Sequence, residues 1–194
     1  MQRLRTFVAV DLDGALRQQM ASQIEFLSES GVDVKWVDRD QFHLTLKFLG
    51  EIAEVELAEV CRAVQRAAEV TTDFQVDVRG VGAFPSLDHP RTLWMGIDDH
   101  SGELNQLYRR LEESFSSLGF RAERRQFHGH LTLGRVRHAG SGMGDLTRRL
   151  AERRDRDFGS LAVDELVVYS SQLMRHGPLY EPLGHFPLKS TPSK

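Results

Sequence analysis

The chain has 194 residues, 40% of them hydrophobic and 27% charged, with a formal net charge of −3. That length suits one medium domain or two small lobes with a real core, and the charge excludes a chain that is basic overall, the usual mark of a nucleic-acid binder, while allowing a local basic cleft. The single cysteine, Cys61, excludes an internal disulfide and suits a reducing compartment, the cytoplasm, and no apolar run approaches the ~18 residues of a membrane helix.

"RTFVAVDL" (5–12) reads as a strand; with its break at Asp11 the amino terminus does not look like a signal peptide. A helix follows, with Leu16, Met20, Ile24 and Leu27 at helical spacing and Gly31 as its stop. "DVKWVD" is a short strand and "HLTLKFLGEI" a longer one. Val55, Leu57, Val60, Val64, Ala67 and Ala68 mark a second helix over 53–70. "DFQVDVRGVGAFP" and "RTLWMGID" (91–98) pair as a hairpin around the loop "FPSLDHPR". Leu104, Leu107, Leu111 and Phe115 mark a third helix from Gly102 to Leu118; the strand "HLTLGRV" and the arginine-rich helix "GDLTRRLAERRD" follow. "SLAVDELVVYSSQL" and "LYEPLGHFPL" close the chain as two strands, and the tail from about 189 to 194 is expected to fray. Strands outnumber helices, and neighbours are joined too closely for parallel crossovers. The expected class is therefore α+β with antiparallel sheets flanked by helices. Without a linker to divide it, 1–194 is expected to be a single domain of two lobes.

The tetrapeptide HLTL occurs twice, at 43–46 and 130–133. As a strand, each copy sends its leucines to one face and its histidine and threonine to the other. His43, Thr45 and Lys47 then share a face, as do His130, Thr132 and Gly134, while Arg135 and Phe48 fall on the leucine side. Histidine exchanges protons near neutrality, and a threonine two residues on can donate a hydrogen bond to an oxygen one strand step away. Taken singly, such a histidine is usually structural, and a repeat can be the remnant of a duplication. A duplication without function, however, should keep the leucines that pack and lose the His/Thr pairs that a core does not need. Two such units facing a cleft supply an acid, a base and two hydroxyl donors around one small anion. A metal site is the third reading, because "HGH" puts His128 and His130 on one face if the strand has begun by then; no obvious third ligand accompanies them.

"HLTLKFLG" and "FHGHLTLGR" resemble the paired His-x-Thr-Leu strands of the two-histidine phosphoesterase superfamily. More closely, the chain resembles the bacterial RNA 2',3'-cyclic phosphodiesterases, or 2'-5' RNA ligases (the LigT or ThpR group), with "LRTFVAVDL" similar to that family's first strand and "ELVVYSSQLMRHGPLYEPLGHFPL" to its closing hairpin. The resemblance implies a bilobal α+β fold of pseudo-two-fold symmetry, one His-x-Thr strand from each lobe lining a central cleft. It implies hydrolysis of cyclic phosphate RNA ends to 2'-phosphomonoesters without metal or cofactor, together with reversible, ATP-independent 2'-5' ligation. It makes His43 the proton donor and His130 the proton acceptor, with Thr45 and Thr132 holding phosphate oxygens. The expected partners are RNA ends carrying a 2',3'-cyclic phosphate, tRNA fragments among them, acted on by a monomer. His128 stands where many relatives have proline or another residue.

Residues 121–138 hold five arginines against one glutamate, a local excess where a phosphate backbone would need neutralising. Within it Arg135 belongs to the motif, though alternation turns it away from His130. Lys47 and His128 are the other candidates for contacting RNA, and Phe7, Trp36, Phe48, Phe84 and Trp94 are the aromatics available for stacking. The rival functions are a phosphodiesterase of the same superfamily for a small cyclic nucleotide, a 2'-5' oligonucleotide or an ADP-ribose cyclic phosphate, and a non-catalytic RNA-end binding module.

Overall fold

The computed structural model describes residues 3–174 and 177–191. Its elements in chain order are β1 (Arg3–Asp11), α1 (Gly14–Ser28), β2 (Asp33–Trp36), β3 (His43–Ala53), α2 (Leu57–Glu69), β4 (Phe74–Phe84), β5 (Thr92–Asp98), α3 (Glu103–Ser117), β6 (His130–His138), α4 (Met143–Glu152), β7 (Asp157–Val163), β8 (Glu165–Met174) and β9 (Gly177–Pro187). Local chemistry accounts for most of the boundaries. The Asp13 carboxylate accepts the Leu16 N–H at 2.7 Å and caps α1. Gly31, at φ +71°, turns the chain out of that helix in the left-handed conformation. Val60, Ala63, Val64, Ala67 and Ala68 form the buried face of α2. Val55 falls before that helix and is 66% exposed, so the apolar repeat starts one turn later than expected.

All ladders between the named strands are antiparallel, and they form one sheet in the order β7-β4-β5-β6-β3-β1-β8-β9, with β2 paired to β6. The two expected sheets are thus two halves of one sheet, joined through the register pair Leu44–Leu131 of β3 and β6. In the first half β3, β1, β8 and β9 carry α2 and α3; in the second β7, β4, β5, β6 and β2 carry α1 and α4. The chain crosses repeatedly between them, so neither half is a continuous segment. That interleaving is why no linker is visible in the sequence.

Two expectations about the C-terminal region change. "SLAVDELVVYSSQL" is two strands rather than one, divided at Asp164: β7 pairs with β4 in the second half, whereas β8 pairs with β1 in the first. Both pieces have the same strand-like composition, so only their partners distinguish them. The tail is also tied down as far as Thr191. The Lys189 N–H donates to Thr71 O and its carbonyl accepts from Asp73 N–H, both at 2.9 Å, while the Thr191 N–H donates to the Asp73 carboxylate. The last part of the expected frayed tail, 192–194, lies outside the described residues.

Candidate active site

The two HLTL strands run antiparallel where the halves of the sheet meet. With Leu44 opposite Leu131, continuing the register by one residue each way sets His43 across from Thr132 and Thr45 across from His130. Both leucine pairs are buried among the helices, whereas the two histidines and two threonines are only partly covered. The four polar side chains thus share one face, each imidazole opposite the other motif's hydroxyl and the two imidazoles on a diagonal.

The imidazoles are held alike. His43 Nδ1 lies 2.7 Å from Gln41 O, and His130 Nδ1 lies 2.8 Å from His128 O. A carbonyl can only accept, so each Nδ1 carries the proton and each Nε2 is left to exchange one with a ligand. Gln41 is anchored in turn, its Nε2 donating to Pro178 O at 2.6 Å. Burial pushes both imidazoles below the ordinary histidine pKa, with the backbone carbonyl opposing in each case. Their charged neighbours differ. Asp11 favours the protonated form of His43 against a smaller opposing effect of Arg17, whereas Arg135 and His128 both disfavour protonation of His130.

After each HxT the strand bulges. Val8 pairs with Lys47 but Ala9 with Thr45, so β3 contains one extra residue at Leu46. Leu93 pairs with Gly134 but Trp94 with Thr132, which gives β6 the same irregularity at Leu133. A bulge exchanges the faces of the residues after it. Lys47 therefore turns to the helix side, where it is 7% exposed, its Nζ 2.5 Å from Glu112 Oε1 and donating to Arg121 O at 3.0 Å. The expectation that Lys47 faces a phosphate is corrected: it binds β3 to α3 and to the segment leading into the second motif. Phe48 turns the other way and is 62% exposed beside the cleft. In β6 the exchange buries Gly134 and brings Arg135 onto the cleft face, so Arg135 need not reach around the strand end. Gly134 has to be small there, because a Cβ would lie 2.7 Å from Val34 Cγ1 and 2.8 Å from Trp36 Cε3.

A cavity of about 170 Å³ is lined by His43, Thr45, Thr132 and Arg135, with Phe48 and Tyr180 as aromatic walls. Lys35, the β2 partner of Arg135, adds a second cation. His130, two residues along the same face of β6, lines a second cavity of about 470 Å³ together with His128. His128 precedes the strand, so the condition on which it would share a strand face with His130 is not met. Phe7 is buried with its ring centroid 4.9 Å from that of His43; Phe84 meets His130 edge-on at 5.1 Å. Trp36 lines the smaller cavity, and Trp94 the larger.

Sequence reasoning missed Asp11, Tyr169, Tyr180, Gln41 and Lys35. Asp11 is the β1 partner of His43, and its carboxylate accepts the Tyr169 hydroxyl at 2.8 and 2.9 Å. Burial and that acidic neighbour push the Tyr169 phenol well above its usual pKa, so it stays a donor. The Tyr180 ring stands edge-on to His43 at 5.3 Å. Only long-range pairing brings these side chains to the site, and no local spacing announces it. For the bulges one local signal existed: a glycine inside a strand, at position 134.

The family model described as LigT like phosphoesterase matches the chain twice, over residues 10–94 and 96–180, and each match contains one HLTL. Relatives named RNA 2',3'-cyclic phosphodiesterase include one from Archaeoglobus fulgidus, 37% identical over 94% of this chain and 99% of its own length. Another, from Aeropyrum pernix, is 35% identical over 85% of this chain and 92% of its own length. Among solved structures, Escherichia coli LigT complexed with 3'-AMP superposes with a TM-score of 0.78 at 26% identity, covering 96% of this chain and 99% of that one. A Thermus thermophilus protein superposes with a TM-score of 0.80, also at 26% identity, with the same coverage.

Proposed function

The chain belongs to the LigT-like phosphoesterase family, and from that premise we propose that it hydrolyses RNA 2',3'-cyclic phosphate ends to 2'-phosphomonoesters. The observation that carries the reading is the antiparallel pairing of the two HxT motifs, with Nδ1 of each imidazole tied to a carbonyl. Opening a cyclic diester with water needs a base for the attacking water and an acid for the departing ribose oxygen, on opposite sides of phosphorus. Two histidines in opposite protonation states meet that need, and the charges around them support the division of labour. His43, beside Asp11, protonates the leaving 3' oxygen; His130, beside Arg135, takes the proton from water.

Thr45 and Thr132 donate hydrogen bonds to the non-bridging oxygens as charge develops on them, and Arg135 and Lys35 supply positive potential on the same side. His128 positions His130 through its carbonyl and lines the adjoining cavity. The same geometry with a 5'-hydroxyl in place of water joins two RNA ends through a 2'-5' linkage and consumes no ATP. Both motifs come from one chain, which supports action as a monomer. A single unpaired cysteine suits the cytoplasm, and no helix among the described residues is long and apolar enough to cross a membrane.

Product analysis on an RNA oligonucleotide ending in a 2',3'-cyclic phosphate tests the reading. A 2'-phosphate is expected, turned over faster than an ADP-ribose cyclic phosphate or a small cyclic nucleotide. A 3'-phosphate product, or RNA that binds and is never turned over, would overturn it.

A further inference from the structure

The cleft face of the sheet continues outward past the smaller cavity, along β1 and the β8–β9 hairpin, and the residues there have no task in the hydrolytic step. Phe7 meets His43 on that face, so alternation along β1 puts Arg5 and Arg3 on it as well. On the hairpin Tyr180 and Pro178 wall the cavity, and their β8 partners Ser171 and Leu173 share the face with them. Thr6 pairs with Ser170, and continuing that register sets Arg5 beside Ser171 and Arg3 beside Leu173. One row across the sheet is therefore Glu51, Arg5, Ser171 and Tyr180, and the next outward is Arg3, Leu173 and Pro178. Packing explains neither Arg5 nor Leu173. The Glu51 carboxylate turns to Arg3, with Oε2 3.7 Å from Arg3 Nε, which leaves Arg5 exposed and without an ion pair among the described residues. Its charge acts on the Tyr180 phenol together with that of Arg135 from the other half of the sheet, so Arg5 stands close to the cavity wall. Leu173 is 76% exposed, an apolar side chain on the cleft face that the core does not cover.

The direction of the reaction says what lies over these residues. The 3' oxygen that leaves toward His43 stays on its ribose, so the terminal nucleoside and the chain 5' to it extend from phosphorus on the His43 side. Arg135 and Lys35 belong to the other half of the sheet and serve the reacting phosphate, whereas Arg5 belongs to the His43 half. Ala9 is the β1 partner of Thr45, so Arg5 stands four strand residues away from it, about 13 Å. That is too far for the reacting phosphate. A side chain as long as arginine, reaching back along the face, meets instead the phosphate that links the last nucleotide to its predecessor. We infer that this strip is a subsite for the penultimate nucleotide of a single-stranded RNA end, with Arg5 on the linking phosphate and Leu173 against the penultimate base. It selects a polynucleotide end over a free 2',3'-cyclic nucleotide. The subsite rests on the cyclic-phosphate reading of the cavity with His43 as the acid. A cation that follows the backbone, beside a surface that takes the face of a base, is how single-stranded ends are generally held.

The test uses the full chain, wild type and two variants at exposed positions, Arg5→Ala and Leu173→Ser. Each is assayed on a 2',3'-cyclic mononucleotide and on a dinucleotide that ends in the same cyclic nucleotide, and the ratio of the two kcat/KM values is read. Wild type should favour the dinucleotide by about thirtyfold. Arg5→Ala should lower that preference by about tenfold, the worth of one charged hydrogen bond, and Leu173→Ser by about threefold. A dinucleotide whose linking phosphate is replaced by an uncharged methylphosphonate should lose the same tenfold on wild type and nothing more on Arg5→Ala, a coupling that a general loss of folding does not produce. Equal kcat/KM for the two substrates in wild type, a preference that both variants retain, or a methylphosphonate penalty that Arg5→Ala leaves intact overturns the subsite while hydrolysis of cyclic phosphates stands. Wild-type protein that turns over neither substrate refutes the cyclic-phosphate reading and the subsite with it.

Discussion

Asp11 is the strand partner of His43, whereas the β5 partner of His130 is Gly96, which has no side chain. One imidazole therefore faces a carboxylate across the ladder and the other does not. Burial lowers the pKa of both, so the bell-shaped dependence of kcat/KM on pH should centre below the ordinary histidine value of about 6.5. Asp11→Asn removes a charge that raises the pKa of His43. The alkaline limb, set by the acid, should move further down while the acidic limb holds. An alkaline limb that stays in place or moves up would refute the assignment of His43 as the acid.

The same shifts act on stability. A histidine whose pKa is depressed by folding binds fewer protons in the native than in the unfolded chain. Its contribution is complete above about pH 6.5 and is lost as the pH falls through the lower folded value. Urea midpoints should therefore decline between pH 7.5 and 5, and His43→Gln should flatten that decline. An equal slope in the variant would contradict the burial effect.

Replacing either histidine by alanine should reduce kcat by about 10²- to 10⁴-fold, the usual contribution of one general acid or base. The double variant should be little worse than the worse single one, because the two act in one step. Excess EDTA should leave the wild-type rate unchanged; inhibition reversed by added metal would reinstate a metal-dependent mechanism.

Lys47 and Arg135 should separate cleanly. Arg135→Ala should raise KM for cyclic-phosphate RNA and weaken its salt dependence, with little loss of stability. Lys47→Met leaves the Glu112 carboxylate largely buried without its cation, at a cost of about 3–5 kcal/mol in denaturant unfolding. Adding Glu112→Leu should recover most of that loss. A Lys47→Met protein of wild-type stability with a raised KM would mean that Lys47 faces the substrate after all.

Gly134→Ala places a methyl against Val34 and Trp36. Overpacking of that kind costs about 1–3 kcal/mol, and here it also presses on the bulge that aims Arg135. Lower thermal stability together with a raised KM is expected. Stability lost with KM unchanged would show that the bulge does not depend on the glycine.

How much of this was legible beforehand follows the range of each interaction. The helices α1 to α4, most of the strands and the polar face of each HxT are set by neighbours a few residues apart, through periodicity, caps and turns. So the sequence alone determined the α+β class and the pairing of each histidine with its threonine. The repeated HLTL also marked the two His/Thr pairs that the structure brings together where β3 meets β6, and the proposed chemistry, rather than packing, accounts for their recurrence. Which strand lies beside which depends on contacts tens of residues apart. Only the tertiary structure could divide 160–173 between the two sheet halves, merge the halves at Leu44 and Leu131, and set Asp11 across from His43. The bulges at Leu46 and Leu133 are of the same kind. A single inserted residue reverses the alternation on which any reading of a strand depends, and whether it is inserted is decided by the partner strand. That reversal took Lys47 out of the cleft and brought Phe48 and Arg135 into it.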